Sequence, residues 1–223
     1  MTPGVRPPQE RFFAGLATAV LVVACGAAGY GLGLGVAPSE SSRMFPWIVA
    51  RATGIGAFLA LTGLVLMGML FRRPVRSEAK IQRETLLRFH VYLWPALWGL
   101  VLAHLGSLLA DRYAGVGWKA LAIPDTASYR PGPVTFGLIA LYLLLVVTVS
   151  AALAGRAVVG SRWAPLHRLA YPAFGLVWIH GVLAGSDTTT LRWLYVLTAV
   201  VVGAGAASTA LRRPLRSGVG VHG

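Results

Sequence analysis

The sequence predicts an all-α fold, a transmembrane bundle of six helices, and three observations carry that expectation. Hydrophobic residues make up 56% of the 223 and charged residues 12%, with a mean hydropathy of +0.68, whereas a soluble domain carries roughly 25% charged residues. The apolar residues gather into six runs, each close to the ~20 residues that take a helix across ~30 Å of hydrocarbon. Lys and Arg fall mainly in the segments between those runs, so the formal charge of +13 reads as membrane topology and not as a nucleic-acid surface.

Taken in order, residues 1–11 form a basic lead-in containing Arg6 and Arg11. The first run is Phe12 to Val36, and the second, interrupted by Arg51, is Phe45 to Phe71. The third covers about 89–110, the fourth about 133–155, the fifth about 166–185 and the sixth about 193–211; a basic tail, 212–223, follows. Helices are the open-ended structure that satisfies every backbone group inside a bilayer, so 12–211 is expected to be one six-helix domain. Val22-Val23-Ala24-Cys25 loosely resembles a lipoprotein cleavage site, but the apolar run continues to Val36 as a span would. The glycines from Gly29 to Gly35 lie inside that run with no strand before them. They are expected to serve helix packing and not phosphate binding.

Orientation follows from the basic residues. Fourteen of the 20 lie in the two termini and in the segments joining runs 2 to 3 and 4 to 5, and six lie on the opposite side. The positive-inside rule then puts both termini in the cytoplasm of a multi-pass protein of the cell (inner) membrane. Runs 3 and 5 both point outward and are therefore parallel. In the long outer segment, 111–133, Tyr113, Trp118 and Tyr129 are expected to be interfacial anchors in preference to a lid.

Four of the five histidines sit on those two parallel runs: His90 and His104 on the third, His167 and His180 on the fifth. The fifth histidine, His222, lies in the polar tail and is expected to have no role. The intervals of 14 and 13 residues span roughly 21 Å and roughly 20 Å of helix, which places two imidazoles at each of two levels. A histidine inside a bilayer is a functional hypothesis by default; the bland alternative is an interhelical hydrogen bond of about 0.6 kcal/mol. Zinc takes four ligands at one level. Two imidazoles facing each other suit instead the axial positions of a b-type haem, whose apolar faces match a Leu- and Val-rich interior. With the lone Cys25 and no Cys-x-x-Cys-His, that haem is held without a covalent link.

Both axial positions of such an iron are filled, so its expected task is one-electron transfer. The ligands must be neutral, and each second ring nitrogen is expected to donate to a carbonyl of its own or a neighbouring helix. At ~100° per residue, 14 residues return His104 to within ~40° of His90, but 13 leave His180 ~140° from His167. A distorted fifth helix is therefore expected, with Pro172 as the kink and Pro95 bending the third helix similarly.

The pattern His90-x13-His104 on run 3 with His167-x12-His180 on run 5, in a six-span chain, resembles the ferric reductase-like transmembrane domain family. This family is the haem-bearing membrane half of ferric reductases and NADPH oxidases. The resemblance covers about residues 45–211, and Arg51-Ala-Thr-Gly, Ser128-Tyr-Arg-Pro131 and His180 to Asp187 resemble its bacterial members. It implies two haem b groups between spans 3 and 5, the inner on His90 and His167, the outer on His104 and His180. Arg51 is a candidate partner for an outer propionate, the alternative being an arginine that snorkels to the headgroups. Arg88, Arg162 and Arg168 are accounted for by topology, and Trp94 and Trp98 by packing.

Only 12 residues follow Leu211, so no flavin or NADPH site is expected in this chain. The expected donor is a separate cytoplasmic flavoprotein reductase or a membrane quinol. The expected acceptor is a ferric chelate, oxygen or a periplasmic protein. Two alternatives stand beside this: the haem-bearing membrane subunit of a periplasmic methionine sulfoxide reductase-like system, and a non-redox transporter or assembly protein whose histidines bind protons or metal.

Overall fold

A computed structural model describes residues 41–71, 80–111, 114–154 and 162–211, and among these the regular structure is helical, with no strand. Helix α1 spans Ser41–Leu70, α2 Lys80–Ala110, α3 Pro131–Ala152, α4 Trp163–His167, α5 Ala170–Ala184 and α6 Arg192–Leu211, with a 3-10 turn at Trp118–Leu121. The expected first span, Phe12 to Val36, lies outside the described residues, as do Cys25, the lead-in and the tail.

Among the described residues, four helices are long and apolar enough to cross a bilayer: Met44–Leu70, Arg83–Ala110, Pro131–Ala152 and Arg192–Thr209. They mark the chain as a membrane protein. Helix α1 is the central one, with 44% of its apolar window buried, whereas 6% of the window in α2 is buried. It packs most extensively on α2 and also meets α5 and α6, while α3 packs on α4 and α5. Phe58, Leu61, Leu64 and Val65 of α1 form the middle of the core with Leu97, Leu144, Ala173, Phe174 and Tyr195. The two histidine-bearing stretches, α2 and α4–α5, do not pack extensively on each other. A gap separates them.

The fifth apolar run is two helices, not one. The break lies at Arg168–Leu169, immediately after His167, and not at Pro172. There the hydrogen bonds tighten to the three-residue kind: Leu169 N–H donates to Leu166 O at 3.1 Å and Tyr171 N–H to Arg168 O at 3.0 Å. Proline lacks the N–H that would continue the regular ladder, so Pro172 sits in the first turn of α5, where that loss costs little. Winding at ~120° instead of ~100° per residue advances the helix phase, in the sense needed to turn His180 toward the side that His167 faces. Helix α5 alone, 15 residues long, reaches only ~22 Å, short of a full crossing. By contrast, α2 runs unbroken through Pro95.

Residues 114–130 fold back over the bundle. Buried Asp111 accepts the Ala114 N–H at 2.8 Å, and Ala114, Val116, Ala120 and Ala127 pack under Trp47, Leu108, Tyr129 and Val134. Tyr142 Oη on α3 donates to Ala122 O at 2.6 Å and fixes the far end. Helix α3 then starts sharply, with Arg130 in the left-handed region (φ 42°) and Pro131 in the first turn.

Candidate functional site

Four histidines, His90, His104, His167 and His180, form two pairs. The rings of His90 and His167 stand 6.2 Å apart, centroid to centroid, and those of His104 and His180 stand 6.4 Å apart. The early histidine of α2 meets the early one of α4–α5 and the late one meets the late one, so the two stretches run in the same direction. A metal–imidazole bond is ~2.0 Å and a ring nitrogen lies ~1.1 Å from its centroid, so two imidazoles on opposite sides of one metal stand about 6.2 Å apart. Both observed spacings match that distance. Among the described residues, no three His, Cys, Asp or Glu side chains stand together as a metal cage, so the donor sets are pairs. Pairs suit axial ligation of a macrocycle that supplies its own four nitrogens.

The His104–His180 pair is held from behind. His104 Nδ1 lies 2.7 Å from Ala50 O on α1, and His180 Nδ1 lies 2.8 Å from Pro133 O on α3. A carbonyl only accepts, so each Nδ1 carries the proton and donates it, and each Nε2 keeps the lone pair that a metal needs. The partner carbonyls belong to neighbouring helices in both cases. The glycine four residues beyond each carbonyl makes room for the ring: a β-carbon at Gly54 would lie 3.0 Å from His104 Nδ1, and one at Gly137 would lie 2.9 Å from His180 Nδ1.

The His90–His167 pair is set differently. Both Nδ1 atoms are buried and have no hydrogen-bond partner among the described residues. Aromatic rings hold these imidazoles instead: Phe71 meets His90 edge-on at 5.6 Å, and Trp163 stacks on His167 at 5.4 Å.

Each pair borders a mainly apolar cleft. The cleft at His104 and His180 measures ≈ 180 Å³ and is walled by Phe58, Val101, Leu138 and Val177 among others. The cleft at His90 and His167 measures ≈ 590 Å³, with Leu61, Trp94, Trp98 and Tyr171 in its wall. Val116, Ala120, Leu121 and Tyr129 of the folded-back segment also line the first cleft. That segment is therefore a cover over the site, the reading the sequence favoured less. Trp98 is a packing residue anchored by a hydrogen bond from Nε1 to Thr148 Oγ1 at 3.0 Å, and Arg168 stands at the mouth of the second cleft.

Arg51 lines the first cleft and reaches across it to the turn after α5. Its Nε and Nη2 donate to Asp187 Oδ2 at 2.9 and 2.6 Å. Beside it, Arg130 Nη1 donates to Leu183 O at 2.6 Å and Tyr129 Oη to Ala184 O at 3.2 Å. These bonds satisfy carbonyls left over at the C-terminal end of α5, about a turn beyond His180. Hydrogen bonding from Arg51 holds the Asp187 carboxyl below its ordinary value of 3.8. A depressed carboxyl contributes its stability in full above that ordinary value and loses it as pH falls through the folded one. Asp187 is half exposed, so Asp187→Asn should cost roughly 0.2–1 kcal/mol near neutrality. Melting curves of the two purified proteins should converge below about pH 3.8; a gap that closes at pH 6 would show that another group is responsible.

From the sequence a carbonyl partner was expected for each ring, but neither Ala50 nor Pro133 was identified, and Gly54, Gly137 and Asp187 were given no role. A signal existed in the common spacing of Ala50 to Gly54 and Pro133 to Gly137, but nothing in the sequence says which rings dock there. No family model, curated protein or solved structure matches the chain.

Proposed function

We propose that this chain is a six-span dihaem cytochrome b, similar to the membrane half of ferric reductases, which passes electrons from the cytoplasmic to the outer face of the cell membrane. The observation that carries the proposal is the pair of imidazole pairs at metal-spanning separation across a gap that the bundle leaves open. His90 and His167 would hold the inner haem, and His104 and His180 the outer one, ~21 Å further along α2. Bound there, a haem would supply one-electron reduction and reoxidation.

The chain's own residues orient and insulate. Ala50 O and Pro133 O fix the tautomer of the outer imidazoles, and the apolar walls with their cover exclude water. Arg51 uses Nε and Nη2 for Asp187, which leaves Nη1 for a propionate. A separate flavoprotein or a quinol is the donor, and a ferric chelate, oxygen or a periplasmic protein, including a sulfoxide reductase partner, is the acceptor.

The purified chain should be red, with a dithionite-reduced minus oxidised spectrum of a b-type cytochrome, a protohaem pyridine adduct and two haems per polypeptide. A colourless preparation that takes up no added haemin would reject the proposal and favour a transporter or assembly role for the histidines.

A further inference from the structure

We infer that Gly54 and Gly137 are positioning residues: the missing side chain at each opens the carbonyl four residues earlier, so that an imidazole from another helix docks on it with its metal-binding nitrogen facing the cleft. The inference deepens the haem proposal and rests on it for what the rings hold, but the docking itself can be measured without haem.

In an α-helix the carbonyl of residue i accepts the N–H of i+4 and keeps a second lone pair. Side chains tilt toward the helix N-terminus, so the β-carbon of i+4 lies over the turn that contains that carbonyl. A glycine at i+4 uncovers it. The device occurs twice, in unrelated local sequences: Ala50-Arg-Ala-Thr-Gly54 on α1 receives His104, and Pro133-Val-Thr-Phe-Gly137 on α3 receives His180. At Gly137 a β-carbon would meet Nδ1, Cε1 and Cγ of His180 at 2.9, 3.0 and 3.0 Å. At Gly54 it would meet Nδ1 and Cε1 of His104 at 3.0 and 3.1 Å. The clash is with the imidazole itself, the group whose aim matters, and it is the more severe at Gly137. Not every helical glycine here is crowded. Gly106 on α2 and Gly175 on α5 have nothing within 4 Å of a β-carbon, so alanine is accommodated there.

The test compares Gly137→Ala and Gly54→Ala with Gly106→Ala and Gly175→Ala in the full-length chain. The first readout is the nitrogen NMR spectrum of 15N-histidine-labelled protein prepared haem-free. The wild type should show His104 and His180 as the Nδ1–H tautomer with Nε2 unprotonated, the control variants should keep those signals, and Gly137→Ala should lose the one from His180. The second readout is the haem-loaded protein, in which Gly137→Ala should change the low-spin electron paramagnetic resonance signal of one centre or reduce haem from two per chain to one. Gly54→Ala should do the same more weakly. Wild-type rings in the Nε2–H tautomer would overturn the inference whether or not any variant folds. So would a Gly137→Ala protein with the wild-type nitrogen spectrum. A wild type that takes up no haem would defeat the proposed function and leave the nitrogen spectrum to decide the role of the glycines.

Discussion

Replacing His104 with leucine is expected to leave the purified chain with one haem instead of two. The substitution removes one axial nitrogen of the outer pair and nothing from the inner pair, which lies ~21 Å away along the same helix. Leucine keeps comparable bulk against Gly54. The Ala50 carbonyl loses its bond from His104 but retains its partner in the helical ladder, so no buried acceptor is orphaned and the bundle should persist. His180→Leu should give the same stoichiometry, and His90→Leu or His167→Leu should give one haem of the opposite kind. The double variant His90→Leu/His104→Leu should give none. Haem per chain from pyridine adducts, with protein measured independently, reads the result as a factor of two. Two haems retained in His104→Leu would sink the pairing. Loss of both haems in that variant, with the fold intact, would mean that the two sites are not separate.

Much of this architecture was legible in the sequence because hydropathy is a local property. The runs around residues 45–71, 89–110, 133–155 and 193–211 became α1, α2, α3 and α6, with most ends shifted by no more than four residues and α2 beginning nine residues earlier, at Lys80. The fifth run was legible only by arithmetic: a 13-residue interval cannot aim two rings the same way along an ideal helix, so something between His167 and His180 had to give. Proline chemistry pointed to Pro172. The winding changes earlier, at Arg168–Leu169, because the missing N–H of Pro172 frees the Arg168 carbonyl to pair with Tyr171. For the rings of His104 and His180 a carbonyl partner was expected, but which carbonyls hold them was not legible. Ala50 and His104 are 54 residues apart, Pro133 and His180 are 47 apart, and Arg51 and Asp187 are 136 apart. Such pairings are set by which helix lies beside which, and α1 takes the centre by packing contacts that no local pattern displays. The cover over the cleft at His104 and His180 was hidden for the same reason. Tyr129 suits an interfacial belt and a cleft wall equally well, and only the fold distinguishes them.

The central place of α1 leads to the largest stability effect expected in the molecule. Phe58, buried at 5% exposure, stacks on Phe174 of α5 at 5.9 Å and lies 5.6 Å from Tyr195 of α6, so one ring joins three helices. Two of these depend on such contacts. Helix α5 is too short to cross alone, and α6 meets the bundle mainly through α1. In water a buried Phe→Ala costs roughly 3–5 kcal/mol, part of it transfer and part the cavity left behind. In lipid the transfer part largely vanishes, because the acyl chains are as apolar as the core. Phe58→Ala should therefore cost about 2 kcal/mol, or about 4–8 °C in melting temperature for a chain of this size. The matched control is Leu197→Ala on α6, a side chain 61% exposed, which should change stability by less than about 0.5 kcal/mol. Melting both variants haem-free keeps the comparison independent of any ligand. Equal losses would mean that the Phe58 cluster is not what docks α5 and α6 on α1; a large loss for Phe58→Ala alone would show that the cleft walls depend on this ring, because Phe58 also lines the cleft beside His104 and His180.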